Sequence, residues 1–551
     1  MIKRALISVY DKTGVAGFAK KLASLGVEII STGGTAKAIY DAGVSVVEVE
    51  SLTGFPECLG GRLKTLHPKI HGGLLADRSN PGHMRQMSDN GVEMIDLVAV
   101  NLYPFKKTIE KPDVSLAEAI EQIDIGGPAM LRSAAKNFRD VAVITDPDDY
   151  AAVLGAIETS GEVPYDFRLK LALKVFEHTA GYDALIAGYL AGAAYGRGRQ
   201  SGPGADIYGG PPPEGQPDAY YYFPEKLTLT FEKKQRMRYG ENPHQSAAFY
   251  ADPIPAAGSL ATYAQLHGKE LSYNNINDLD GALGLLEEFD EPAAVAVKHA
   301  NPCGAATAGD IYGAYMKAYE SDTTSIFGGV IVLNRPVDLR TAAEIRKLFI
   351  EIVAAPGFDD DALKLLMKKK NIRLLIIDVR TAAGRRAERT LYIKKVGGGL
   401  LAQTNDNSVL AETGTDNAPT ADSEKLFFVT DRRPTDKEFS DLLFAMTVVK
   451  HTKSNAIAIA KDGATVGVGP GQNSRISAAK IAIEVAGARA VSAAAASDAY
   501  IPFNDCIDAF AAAGITSVIQ PGGSVNDAEA IEACNRYGIA MVFTNVRHFK
   551  H

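Results

Sequence analysis

Between Gly60 and Gly73 the chain reads Gly-Gly-Arg-Leu-Lys-Thr-Leu-His-Pro-Lys-Ile-His-Gly-Gly. Arg62, Lys64, His67 and His71 thus stand between two glycine pairs. The glycines permit tight turns, and Pro68 interrupts helix. Such a frame suits a pocket for an anionic small molecule; a solvated basic loop is the plainer alternative. A second candidate is Ser31-Thr32-Gly33-Gly34-Thr35, which follows a strand pattern and precedes a helix pattern. Its glycines let backbone N–H groups converge at a helix N-terminus, where phosphate is held. It lacks the Gly-Lys-Ser/Thr ending of a Walker motif, and Ser/Thr-Gly-Gly also makes an ordinary capped turn. Lys12, in Tyr10-Asp11-Lys12-Thr13-Gly14, lies at a similar strand end, so Lys12 and Ser31–Thr35 are expected to meet one phosphate.

Further along, Asn101-Leu102-Tyr103-Pro104 sets an amide and a phenol at another strand end. Asp124-Ile125-Gly126-Gly127-Pro128 puts a carboxylate before a helix bearing Arg132 and Lys136. Asp124 is either a helix cap or a catalytic acid on this pattern. In the second half, Lys298-His299-Ala300-Asn301-Pro302-Cys303-Gly304 ends the apolar run Ala293–Val297. A zinc deaminase needs His-x-Glu and a later Pro-Cys-x-x-Cys, and neither is present. Lys298 and His299 are then a metal-free pair, or His299 is a structural strand-end histidine. Arg238–Gln245, Leu271–Asp278 and Gly469–Arg475 are dense in hydrogen-bonding groups, as a flat polar anion requires and as polar turns also supply.

The elements that position these residues follow from periodicity. Ala5–Val9, Val27–Ile30, Asp96–Val100 and Val141–Ile144 are expected strands, and Val15–Leu25 is an amphipathic helix ended by Gly26. This alternation predicts a parallel sheet covered by helices. Residues 192–217 are rich in Gly, Pro, Gln and Ser and predict a linker; 404–420 predicts a loop. Beyond the linker, three string matches in one order predict two copies of one α/β unit. Ala296-Val297-Lys298-His299 pairs with Val448-Val449-Lys450-His451, and Ser321-Asp322 with Ser497-Asp498. Ala355-Pro356-Gly357, with the helix Asp361–Lys369 and the strand Ile372–Ile377, pairs with Gln520-Pro521-Gly522, Asp527–Tyr537 and Ile539–Phe543.

Length and composition bound the class. The 551 residues predict three to four domains, and 46% hydrophobic with 23% charged residues is globular. A net charge of −8 gives no basic excess for nucleic acid or an anionic membrane, so local clusters must capture any anion. Cys58, Cys303, Cys506 and Cys534 fit neither a zinc site nor a disulfide scaffold, which points to the cytoplasm. Neither a signal peptide nor a membrane-spanning run is expected.

Taken together, these motifs resemble one family along nearly the whole chain: the bifunctional phosphoribosylaminoimidazolecarboxamide formyltransferase / IMP cyclohydrolase of purine synthesis. Thr544-Asn545-Val546-Arg547-His548-Phe549-Lys550-His551 resembles its C-terminus. The resemblance implies an α/β protein with a methylglyoxal-synthase-like cyclohydrolase domain at 1–195. A linker at 196–222 follows, then two zinc-free cytidine-deaminase-like transferase units at 223–385 and 386–551. It implies a homodimer with transferase sites shared between subunits. It implies 10-formyltetrahydrofolate as cosubstrate, no catalytic metal, and leaves a monovalent cation open.

By the same resemblance Lys298 and His299 are the transferase pair. Arg238, Tyr239, Asn275, Glu351, Asn455, Arg547 and His551 surround the aminoimidazole ribotide, and Arg475, Ile476, Phe503 and Asp505 the folate. Lys64, Tyr103, Asp124 and Lys136 are the cyclohydrolase residues. Ser8, Lys12, Ser31, Thr32, Gly33, Gly34, Thr35, Arg62, Thr65, Asn101, Gly126 and Gly127 contact nucleotide and phosphate. Tyr10, the run Ser321–Ile326, Pro470 and the long linker depart from the family pattern. In this reading the base for formyl transfer is His299, or the substrate's own carboxamide assisted by His299. The rival reading is a nucleotide-binding regulatory protein of methylglyoxal-synthase-like fold.

Overall fold

The computed structural model describes residues 1–194, 223, 225–379, 391–407, 409–410 and 426–551. Residues 192–194, expected as the start of the linker, instead end a helix; the rest of the linker, most of the 404–420 loop and the 385/386 boundary lie outside the described residues. The described chain forms two compact units, one of 1–194 with 225–231, the other of 223 with 232–551. Residues 225–231, which the sequence reading assigns to the transferase half, therefore belong with the first unit. A Cβ on Gly181 would lie 3.4 Å from Thr230 Oγ1, so this stretch packs along the unit's last helix.

The first unit opens with β1 (Arg4–Val9), α1 (Val15–Ser24), β2 (Glu28–Ser31), α2 (Gly33–Asp41), β3 (Val47–Glu48) and α3 (Val49–Thr53). It continues through α4 (Pro68–Leu75), α5 (Pro81–Asp89), β4 (Leu97–Asn101), α6 (Phe105–Ile109), α7 (Leu116–Glu121) and α8 (Gly126–Lys136). β5 (Ala142–Ile144), α9 (Tyr150–Ser160) and α10 (Tyr165–Ala194) complete it. All five strands are parallel, in the order β3-β2-β1-β4-β5. Leu6, Ile7, Val98, Ala99 and Val143 are fully buried, as strands covered on both faces require. The strand order reverses between β1 and β4, where open parallel sheets form a crevice beyond the carboxyl ends of their strands.

The second unit starts with the hairpin β6 (Glu232–Met237) and β7 (Ala247–Ala251). Its first copy is β8 (Ala264–His267), α11 (Tyr273–Leu286), β9 (Ala293–Lys298), β10 (Asn301–Thr307), α12 (Ile311–Ser321), β11 (Val330–Leu333), α13 (Leu339–Ile345), β12 (Ile352–Ala355), α14 (Asp360–Leu366) and β13 (Arg373–Ile376). A hairpin of β14 (Leu391–Val396) and β15 (Gly399–Thr404) follows. The second copy repeats the order: β16 (Phe427–Phe428), α15 (Asp436–Lys450), β17 (Ile457–Lys461), β18 (Ala464–Gly469), α16 (Arg475–Ala486), β19 (Ala494–Ser497), α17 (Asp505–Ala512), β20 (Ser517–Gln520), α18 (Asp527–Tyr537) and β21 (Ala540–Phe543). One mixed sheet of twelve strands holds both copies, joined where β10 runs antiparallel to β18.

This topology keeps the repeat and corrects its alignment. Lys450-His451 ends helix α15, whereas Lys298-His299 ends strand β9; the true counterpart of the latter is Lys461-Asp462 at the end of β17. Ser321 ends a helix and Ser497 a strand, so that match fails also. The third match is correct, because β12-α14-β13 and β20-α18-β21 occupy equivalent places. Close packing marks the equivalence. A Cβ on Gly304 would lie 2.1 Å from the Ala318 carbonyl oxygen, and one on Gly467 would lie 2.1 Å from that of Ala482. Both strands need glycine for their helix to pack so closely.

Candidate functional site

In the first unit the loops after β1, β2 and β4 meet. The Asn101 side-chain oxygen accepts from the Tyr10 and Asp11 N–H groups at 2.7 and 2.9 Å, and its amide donates to the Asp11 carbonyl at 3.0 Å. Asn101 thereby shapes the loop that carries Lys12. Helix α2 begins at Gly33 with φ 45°, earlier than the sequence reading expects. A Cβ on Gly34 would sit 3.9 Å from Lys12 Nζ, and one on Gly33 would sit 3.4 Å from Lys64 Nζ. Two ammonium groups thus flank the glycines that open a helix, a cradle for an anion. Thr32 and Ser8 hydroxyls lie 3.2 Å apart beside it. Ser31 and Thr35 turn inward instead, donating to the Ile7 carbonyl at 2.6 Å and the Val9 carbonyl at 2.9 Å.

Asp124 joins this cluster. Its Oδ1 accepts from the Gly127 N–H at 2.8 Å, and the Tyr103 backbone N–H also donates to it. Its own N–H donates to Tyr182 Oη at 2.8 Å. Burial raises the Asp124 pKa, opposed by those two N–H groups and by the charge of Lys64. A Cβ on Gly127 would lie 2.4 Å from the Asp124 carboxylate, and one on Gly126 would lie 2.7 Å from Thr65 Oγ1. A side chain at either glycine would displace these groups. Tyr103 remains 43% exposed, open to a ligand at the same edge.

Three of the four basic or imidazole groups in the Gly60–Gly73 loop have other tasks. Arg62 pairs with Glu121 on the surface. His67 Nδ1 accepts from the Lys69 N–H at 3.2 Å and caps α4, where Pro68 is the first helical residue rather than a helix interruption. His71 Nδ1 lies 3.0 Å from Ser133 Oγ, and burial lowers its pKa. Lys64 also pairs with Glu57 at 2.9 Å. Lys136 is not brought to Asp124 within one chain. The two stand at opposite ends of α8, whose eleven residues span about 15 Å.

In the second unit Lys298 and Asn301 pair across β9 and β10, so His299-Ala300 is a two-residue hairpin turn. Both residues are left-handed, with φ of 54° and 59°, as the tight turn of a twisted hairpin requires. The imidazole is exposed at the tip. Lys298 Nζ donates to the Phe327 carbonyl at 3.0 Å. Asp278 of α11 accepts from the Ala300 N–H at 2.7 Å. Burial raises the Asp278 pKa, while the Ala300 N–H and the nearby His299 and Lys453 charges oppose it. Asn275, at the start of α11, donates to Glu351 at 2.9 Å, and Arg373 approaches the same carboxylate at 3.5 Å.

The turn is tied to the second copy. The Asn301 side-chain oxygen accepts from the Lys453 N–H at 3.1 Å, and the Ser454 N–H donates to the Lys550 carbonyl at 2.9 Å. Asn455 donates to the Gln472 carbonyl at 2.8 Å and accepts from Arg475 at 2.8 Å. Arg475 is buried against Asp498, which also takes the Ser454 hydroxyl and the Ala456 N–H. Arg475 is thus an internal brace, and Ile476 packs partly buried against the core below it. Phe503 is 63% exposed and Asp505 opens α17, the helix beside α16. Arg238 lies over the Tyr239 ring at 4.7 Å, and Arg547 over Phe549 at 4.3 Å with His551 next to that ring. Asn274 donates to the Glu241 carbonyl at 3.3 Å, which sets the Arg238–Tyr239 turn beside the start of α11.

Arg373 and Lys453 carry no expectation from the sequence; Asp278 enters it only as the end of the polar run Leu271–Asp278, and Asp498 only in the repeat string Ser497-Asp498. Asp278 and Lys453 stand near motifs already singled out, but only the tertiary fold brings them to His299. Burial pushes the Cys303, Cys506 and Cys534 thiols up to about 12, which leaves them inert as nucleophiles.

Family models and curated relatives match this chain. Residues 134–485 match the family described as AICARFT/IMPCHase bienzyme, and residues 14–129 match the MGS-like domain. The chain is 56% identical over 551 residues to the bifunctional purine biosynthesis protein PurH of Acetivibrio thermocellus, covering 100% of both chains. It is 56% identical to that of Ruminiclostridium cellulolyticum and 53% identical to that of Oceanobacillus iheyensis, again covering 100% of each. With identity at this level from end to end, the chain belongs to the AICARFT/IMPCHase bienzyme family.

Proposed function

We propose that this chain carries out the last two steps of IMP synthesis at two separate sites, ring closure in the first unit and formyl transfer in the second. Its relatives are named bifunctional purine biosynthesis proteins, and it is read as a formyltransferase and cyclohydrolase like them. One observation supports the division of labour most strongly: the candidate residues cluster separately inside two compact units.

For formyl transfer the donor is 10-formyltetrahydrofolate. The ribotide's 5-amino nitrogen attacks the formyl carbon, the amine proton leaves, and the bond to the folate N10 breaks as that nitrogen is protonated. The amine is a poor nucleophile because its lone pair is delocalised. His299 takes its proton, directly or through the carboxamide, and Lys298 stabilises the oxyanion. Asn275, Glu351, Asn455, Arg238, Tyr239, Arg547 and His551 hold the ribotide; Phe503 and Asp505 face the folate, with Ile476 and Arg475 behind them.

For ring closure the carboxamide nitrogen attacks the formyl carbon of the same molecule, and water is lost. Holding the folded conformer supplies much of the acceleration. Lys12, Thr32, Gly33 and Gly34 hold the phosphate, and Lys64 stabilises the developing oxyanion. Asp124 and Tyr103 orient the amide and move its proton. Lys136, at the far end of α8, is left without a role in the pocket of its own chain. The protein acts as a homodimer in the cytoplasm without a catalytic metal; its four cysteines are all free.

An absorbance assay that follows folate release and IMP formation separately tests this reading. Both signals are expected, with folate release first. Absence of either one would remove the corresponding activity.

A further inference from the structure

The two copies of the second unit offer an internal comparison at the hairpin tip. In the second copy the turn is Asp462-Gly463, with φ of 55° and 69°. Asp441, on α15, accepts from both turn N–H groups at 3.0 and 2.9 Å. In the first copy the turn is His299-Ala300, and Asp278 on α11 accepts from Ala300 N–H at 2.7 Å. Both aspartates lie six residues beyond the helix N-cap, Ser272 for Asp278 and Thr435 for Asp441. The clamp is therefore a feature of the fold that precedes any chemistry.

What differs is the turn it holds. Asp-Gly adopts left-handed backbone readily, whereas histidine and alanine do so at a cost. The first copy thus keeps two side-chain-bearing residues in a conformation they disfavour, and one of them is the proposed base. Asp278 is half-buried and hydrogen-bonds neither Lys298 nor the imidazole in this arrangement. Its carboxylate acts on the backbone beneath the histidine. A relaxed turn would swing the imidazole away from a substrate held by Asn275, Glu351 and Asn455, and a misplacement of about 1 Å can cost a hundredfold in rate.

We infer that Asp278 is a positioning residue for formyl transfer: it clamps the His299-Ala300 turn in left-handed backbone and so aims the imidazole at the reacting amine. This rests on the assignment of His299 to that reaction.

The test is steady-state kinetics of formyl transfer on the full-length protein, with folding checked by circular dichroism. Asp278→Ala should lower kcat about ten- to a hundredfold, with KM for the ribotide within about threefold. Asp278→Asn keeps a side-chain oxygen to accept from the Ala300 N–H and should stay within about threefold of the parent. In the Asp278→Ala background, Ala300→Gly eases the left-handed turn and should recover about fivefold or more. An unchanged kcat in Asp278→Ala overturns the clamp. So does an Asp278→Asn loss as deep as that of Asp278→Ala, or a failure of Ala300→Gly to restore rate. His299→Ala, measured alongside, separates the two levels. If it is silent, the assignment of His299 falls; if it abolishes transfer while Asp278→Ala is silent, only the clamp falls.

Discussion

Lys298 and His299 are neighbours in sequence, yet the repeat separates their origins. Lys461, the second-copy counterpart of Lys298, donates to the Val491 carbonyl at 2.8 Å just as Lys298 donates to that of Phe327 at 3.0 Å. The lysine belongs to the fold, and its charge is available for chemistry in addition. His299 has no such counterpart, since Asp462 stands in its place. Lys298→Ala is therefore expected to lower both thermal stability and formyl transfer. In the first unit, Lys64→Ala separates charge stabilisation from phosphate grip. A drop in ring-closure kcat of roughly a hundredfold marks the former, and a raised KM with kcat preserved marks the latter. Asp124 carries a different signature. Its folded pKa is raised by burial, so the native state holds its proton to higher pH than the unfolded chain does. The group costs stability increasingly as pH rises from its ordinary value through the raised one. Asp124→Asn should consequently raise Tm at pH 7–8, with the gain vanishing below pH 4, while ring closure is lost. Thermal melts at both pH values check this, and an unchanged or lower Tm at pH 7–8 would contradict it. Lys12, Lys64 and Asp124 were legible because glycine-framed loops at strand ends announce themselves. The roles of Asp278 and Asp498 were not, because a polar run or a repeat string does not show which of its carboxylates reaches a turn or an arginine far away in sequence.

At the scale of elements, the helix that bears Asn275 and the loop that bears Asn455 are held by buried polar contacts. Arg475 and Asp498 form an ion pair with side chains 6% and 0% exposed. The two also fasten Asn455, Ser454 and Ala456. Removing one partner leaves an uncompensated buried charge, so Asp498→Ala is expected to destabilise the second unit by about 3–5 kcal/mol. Denaturant unfolding monitored on the full chain reads this, and a loss below 1 kcal/mol would contradict the brace. In the first unit the strands β1, β2, β4 and β5 and their parallel arrangement were visible in apolar runs alternating with helix patterns, whereas the strand order was not. The repeat was visible as an idea but misaligned in detail. Short strings such as Val-Lys-His recur at a strand end and at a helix end, and three-dimensional equivalence follows element order and close contacts such as Gly304 and Gly467. Pro68 misled in the same way, since a proline that breaks a helix from within is also the residue that best begins one.

For the whole molecule, two compact units with separate polar clusters predict that formyl transfer and ring closure are separable by point substitution. Composition near residue 192 suggested a boundary, but α10 runs on to Ala194; that 225–231 stays with the first unit depends on packing against α10, which composition does not encode. The full-length chain bearing His299→Ala gives the most direct test of two sites serving two reactions. Folate release and ring closure of preformed formyl ribotide are measured on the same preparation. Transfer is expected to fall by about two to four orders of magnitude while ring closure keeps the parent rate. Unchanged transfer, or an equal loss of both reactions in a folded protein, would contradict it.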